Sequence, residues 1–71
     1  MDQPLKLKPS THVHAAAYDP QAERLTLDLN NGRFAVHGVP ADKAAAYEAA
    51  PSHGDFFFKN FQGKHEITRV S

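Results

Sequence analysis

Arg24-Leu25-Thr26-Leu27-Asp28-Leu29-Asn30-Asn31-Gly32-Arg33-Phe34-Ala35-Val36-His37 is the stretch whose reading decides the fold. Leu25, Leu27 and Leu29 alternate with Arg24, Thr26, Asp28 and Asn30, the period-two pattern of a half-buried strand. Asn31-Gly32 follows, a dipeptide suited to the positive φ angles of a two-residue hairpin loop. Alternation then resumes with Phe34 and Val36 as the apolar positions. A loop at Asn31-Gly32 predicts that Asn30 faces Arg33, Leu29 faces Phe34 and Leu27 faces Val36. That register keeps every apolar side chain on one face, so turn chemistry and hydrophobic pattern agree.

Upstream, Val13, Ala15 and Ala17 alternate with His12, His14, Ala16 and Tyr18. Asp19-Pro20-Gln21-Ala22-Glu23 is a reversing loop, with Asp-Pro as the turn starter. Pairing Ala17 with Leu25, Ala15 with Leu27 and Val13 with Leu29 extends the apolar face over a third strand. The expectation is a three-stranded meander over about residues 12 to 38. Downstream, Val39-Pro40 ends the sheet, and Ala41 to Ala50 is rich in good helix formers. Pro51 closes that helix. Ser52-His53-Gly54-Asp55 has serine in a capping position with an acid three residues on, predicting a second short helix from about Gly54 to Phe61. Gly63 sits where helices end. Glu66 to Val70 alternates weakly as a last strand, with Ile67 and Val70 inward. Tyr47, Phe57 and Phe61 are the large groups available to cover the sheet.

The fold class is therefore α+β: a three-stranded antiparallel meander, one or two short helices packed on one sheet face, and a short C-terminal strand. Residues 1 to 10, with Pro4 and Pro9, read as a flexible or extended arm, and 11 to 71 as a single domain. Seventy-one residues make one small domain with a small core. Lys and Arg total eight, as do Asp and Glu, so the strong positive charge of a dedicated nucleic-acid module is missing. No cysteine is present, which favours a reducing compartment. Met1 to Pro9 lacks the apolar run of a signal peptide, and nothing approaches the ~18 apolar residues of a membrane span. A cytoplasmic protein with no membrane contact is expected.

The chain also resembles the KTSC domain, a short module found at the C-terminus of some lysyl-tRNA synthetases and as a stand-alone bacterial or phage protein. The carriers are Tyr18-Asp19-Pro20, the Leu25-x-Leu27-x-Leu29 strand with Gly32 and Phe34, and Val39-Pro40. Ala50-Pro51-Ser52-His53-Gly54 running into Phe56-Phe57, and Asn60-Phe61-Gln62-Gly63-Lys64, complete them. The resemblance covers about Thr11 to Val70. This chain has Thr11-His12 where the family commonly has two serines, Ala44 where it often has an aromatic, and His65 where a tyrosine is common. The resemblance implies a compact α+β fold and no established activity. Its synthetase context suggests contact with RNA.

Three groups of residues bear on chemistry. His12 and His14 share a strand face with Asp28 and His37, but His37 is roughly 10 Å from His14 at ~4.8 Å per strand step, so no three-ligand metal set forms. No metal or cofactor is expected. Ser52-His53 lacks an orienting acid and an oxyanion hole, so Ser52 is a helix cap rather than a nucleophile, and no catalysis is expected. Backbone N–H groups at that helix start make Ser52, His53 and Gly54 the candidate anion site. Finally, Lys59, Lys64 and Arg69 are interleaved with Phe56, Phe57, Phe58 and Phe61. Three consecutive phenylalanines cannot all face inward at ~100° per residue, so Phe58 or Phe56 is left exposed. Cations tracking phosphate beside rings that stack on bases suit single-stranded RNA or DNA. The candidate contacts are Arg33, Lys59, Lys64, Arg69 and Phe58. The alternative reading is a protein-binding or homodimerising module using the exposed ring or a free sheet edge.

Overall fold

A computed structural model describes residues 3–7 and 13–70. Strands β3 (Arg24–Leu29) and β4 (Gly32–Val36) form the expected hairpin, but its register is displaced by two residues. Leu29 lies opposite Gly32, Asp28 opposite Arg33, Leu27 opposite Phe34 and Leu25 opposite Val36. The turn is made by Asn30 and Asn31, neither with positive φ, and the unusual backbone angle falls on Gly32 at φ 137°. Asn-Gly therefore does not form the loop here. A displacement of two preserves parity, so the apolar face is unchanged. Its consequence is local: on β4 Leu29 faces a glycine, and its apolar cross-strand partner is Val13 on the β2 side.

Strand β2 (Val13–Asp19) differs by a single residue, which does reverse faces. Tyr18 lies opposite Leu25 and Ala16 opposite Leu27, so Ala16 and Tyr18 are buried while Ala15 is exposed and Ala17 half-buried. The connection is four residues, Pro20 to Glu23, because Asp19 already pairs with Arg24. Glu23 takes φ 51°, and its carbonyl accepts the Val39 N–H at 2.8 Å. The Asp19 carboxylate accepts from the Gln21 and Ala22 N–H groups and fixes the turn. A bulge at His14 restores Val13 to the buried side, opposite Leu29 as expected. Three successive alanines make the inward choice nearly neutral, so Tyr18 decides it. Its ring is buried and its hydroxyl donates to the Val39 carbonyl.

The sheet has five strands rather than three, in the order β1-β2-β3-β4-β5, all neighbours antiparallel. Within the expected arm, Gln3–Pro4 is edge strand β1, and Leu5 and Leu7 pack against the core. The Lys6 N–H donates to the Glu48 carboxylate at 2.8 Å. At the other edge, β5 (Ile67–Arg69) joins β4, with Ile67 opposite Val36 and Arg69 opposite Phe34. Ile67 packs against the core, whereas Val70 is 55% exposed rather than inward.

Helix α1 (Ala41–Ala49) buries Ala44 and Tyr47, one turn apart. Helix α2 (His53–Asn60) starts at Ser52, whose hydroxyl accepts the Asp55 N–H at 3.3 Å. Gly63 at φ 79° turns the chain out of α2 towards β5. Phe61, fully buried, is ringed by Tyr47, Phe56, Phe57 and His65 at centroid separations of 5.5 to 6.1 Å. Edge-on ring pairs of this kind contribute about 0.5–1.5 kcal/mol each beyond burial. Among the described residues, no helix is long and apolar enough to cross a membrane.

Candidate functional site

The start of α2 is consumed by the fold. The His53 ring is 1% exposed, lies 5.2 Å from the Tyr47 ring, and its Nδ1 bonds the Tyr47 carbonyl at 3.0 Å. That carbonyl lies at the C-terminal end of α1 and also accepts the Ala50 N–H. His53 therefore ties the end of one helix to the start of the next. Ser52 serves as the cap through its hydroxyl, and its carbonyl accepts the Phe56 N–H at 3.0 Å. An anion at Ser52, His53 and Gly54 would find the imidazole turned inward and the exposed Asp55 carboxylate in the first turn. These are poor terms for a phosphate.

A second polar group links the end of α2 to the rest of the core. Lys43 on α1 donates to the Asn60 carbonyl at 3.0 Å and to His65 Nε2 at 2.7 Å, and its ammonium lies 5.4 Å from the Phe61 ring centroid. An ammonium only donates, so His65 Nε2 accepts and the ring proton sits on Nδ1. That proton is donated to the His37 carbonyl at 3.0 Å. His65 thus bridges α1 and the end of β4. On the open sheet face, His14 bonds the Asn30 side chain and His37 bonds the Thr68 hydroxyl. Among the described residues, no three His, Asp or Glu side chains are placed to hold a metal ion. His12 lies outside the described residues.

The five candidate contact residues divide between two faces. Arg33 neighbours the core-facing Phe34 and sits opposite Asp28, on the sheet face away from the helices. Arg69 is on the helix side, its guanidinium 5.8 Å from the Phe34 ring centroid. Phe58 is 68% exposed on α2, while Phe56 and Phe57 are half-buried. Lys59 pairs with Asp55 one turn back at 3.2 Å. Both groups are well exposed, so the pair yields readily to a stronger partner. Lys64 is exposed in the turn leaving α2. Lys59, Lys64, Phe58 and Arg69 therefore belong to the helix side of the molecule, and Arg33 does not.

Between them lies a feature that no single residue type announced. A groove of about 250 Å³ opens between the β3–β4 turn, β5 and the end of α2. Leu29, Phe34, Phe57 and Ile67 form its apolar wall, and Asn31 and Gln62 its polar part. Gly32 puts no side chain opposite Leu29 on β4, and the opening lies at that end of the hairpin. In the sequence Asn31 belongs to a turn and Gln62 only to the stretch that carries the family resemblance, and neither carries a signal of binding on its own.

The family model for the KTSC domain matches residues 9–65. No curated protein shows a significant match. Among solved structures, the crystal structure of a KTSC domain protein from Yersinia pestis superposes with a TM-score of 0.90 at 24% identity, covering 100% of both chains. At that identity the likeness speaks to the fold. With four-fifths of its length inside the family model, and with the same fold as a solved member, this chain belongs to the KTSC domain family.

Proposed function

We propose that this KTSC domain is a non-catalytic interaction module that holds single-stranded nucleic acid on its helix side. The observation that carries the reading is the exposed Phe58 beside Lys59, with Lys64 and Arg69 on the same side of the molecule. Exposed rings offer sequence-tolerant stacking, and the cations follow the phosphates. The neutral overall charge fits a modest, local contact rather than a long electrostatic track.

The test is a titration of labelled tRNA and of single-stranded DNA at low salt. Binding in the range of about 1–100 μM is expected, weakening linearly in log salt by about 0.7 per phosphate neutralised. Lys64→Ala should lower that slope by about 0.7. Absence of salt-dependent binding overturns the reading. A second reading rests on a different observation: β5 is an open sheet edge only three residues long, followed by the exposed Val70. Such an edge can accept another strand, and the domain would then bind a protein or a second copy of itself. Sedimentation across a wide concentration range separates the two.

A further inference from the structure

The groove between the β3–β4 turn, β5 and α2 has the chemistry of a seat for one flat ring. Its volume of about 250 Å³ falls just below the ~300–1,000 Å³ of pockets that take a drug-sized molecule, so it suits a single ring system. Two phenylalanines, Phe34 and Phe57, line it together with Leu29 and Ile67. The polar lining consists of two amides, Asn31 and Gln62, both exposed. Neither amide side chain is hydrogen-bonded within the described residues. Each amide presents a donor and an acceptor side by side, the pattern that matches the edge of a nucleobase. The Arg69 guanidinium lies over Phe34 at one wall, and Lys64 follows Gln62 by two residues. An apolar protein side chain would fill the wall and leave both amides without a role. A base uses the wall and the amides together.

We infer that this groove takes one unstacked nucleobase of a single strand, with Asn31 and Gln62 reading its edge and Arg69 and Lys64 placed for the adjoining phosphates. The inference rests on the nucleic-acid reading above and adds a base preference to it. It makes Asn31 and Gln62 specificity residues and leaves Lys64 a source of affinity alone.

The experiment uses the full chain and four octameric RNA homopolymers, with binding followed by fluorescence anisotropy and by the side-chain amide NMR signals of Asn31 and Gln62. One homopolymer should bind best, and its addition should shift both amide signals. Asn31→Ala combined with Gln62→Ala should reduce the ratio between the best and worst homopolymers by about tenfold. Lys64→Ala should weaken all four by a similar factor and leave the ratio intact. If RNA binds but the amide signals stay fixed, or the double variant keeps the wild-type ratio, the base seat is overturned and the nucleic-acid reading stands. If no homopolymer binds, both fall. If the amide signals move with protein concentration alone, the groove's occupant is a second copy of the chain, and the base seat is overturned. Both substitutions lie at exposed positions, and unchanged spectra elsewhere will show that the variant is folded.

Discussion

The two ends of α2 carry similar residue types and put them to opposite uses. At its start, Ser52 and His53 have backbone groups of their own chain within reach, and each is committed to one: the Asp55 N–H for serine and the Tyr47 carbonyl for histidine. At its end, Gln62 and the facing Asn31 have no such partner and border an opening. A pair that looks reactive in sequence is thus bonded within the fold, and two amides that look incidental line a groove on the helix side. What separates the two cases is whether a backbone donor or acceptor with bonding capacity to spare lies nearby. Helix ends always supply such groups. The α1–α2 junction places His53 against one of them, while the chain leaving α2 closes on Phe61 and Phe57 through its own backbone.

The sharpest way to break this contrast is His53→Ala. It removes the donor to a helix-end carbonyl and opens a void beside Tyr47. The expected loss is about 2–4 kcal/mol, from the cavity and the lost hydrogen bond together. A domain of this length has roughly 4–10 kcal/mol in all, so the variant should be marginal. Urea unfolding at unchanged slope measures it. A loss under about 1 kcal/mol would mean that the start of α2 is not committed to the fold.

Lys43→Met comes next. It keeps the aliphatic stem and removes the ammonium that serves the Asn60 carbonyl, His65 Nε2 and the Phe61 ring. The site is half-buried, so an expected loss of about 1–2 kcal/mol reflects acceptors only partly rescued by water. Thermal unfolding at constant pH provides the measurement. An unchanged midpoint would mean that solvent replaces the lysine fully, and that His65 is oriented by the His37 carbonyl alone.

How far this could be read in advance depends on which residues carried the signal. The leucine alternation and Phe34-x-Val36 were unambiguous, so the sheet face of β3 and β4 was legible even though the loop lies one residue earlier and the register is displaced by two. Ala15, Ala16 and Ala17 gave no such guidance, because one alanine buries almost as well as the next. The decision lay with Tyr18, whose hydroxyl needed the Val39 carbonyl, a partner 21 residues away. Strand β1 was hidden for a related reason: with Pro4 in it, it is a two-residue edge strand whose partner is β2. The exposed ring among Phe56, Phe57 and Phe58 was legible from the 100° step alone. The groove was not, since its six lining residues come from three separate segments and meet only through the register.

Tyr47→Phe tests the core behind both ends of α2. The Tyr47 hydroxyl is fully buried and has no hydrogen-bond partner among the described residues. Removing it should raise stability by about 0.5–1 kcal/mol, because an unpaired buried hydroxyl is unfavourable. Burial also pushes this hydroxyl's pKa well above the ordinary tyrosine value. A folded pKa above the unfolded one means that the stability is fully present below about pH 10 and is lost as pH rises further. The variant should therefore also retain more stability in alkali. Tyr18, raised by burial and by neighbouring carboxylates, remains to drive the residual loss. A destabilised Tyr47→Phe protein would reveal a buried water or ligand on that hydroxyl.

The smallest effect on stability is expected at Phe58. Phe58 projects from the outer side of α2, 68% exposed, three residues from the fully buried Phe61. If the end of α2 is free of folding duty, Phe58→Ser should change stability by less than about 0.5 kcal/mol. The same change should weaken single-strand binding by the loss of one stacking contact, about 1–3 kcal/mol. Stability and binding then move separately at this end of the helix, whereas at His53 stability moves first. A loss of folding stability above about 1 kcal/mol would place Phe58 in the core's service and remove the surface on which the contrast depends.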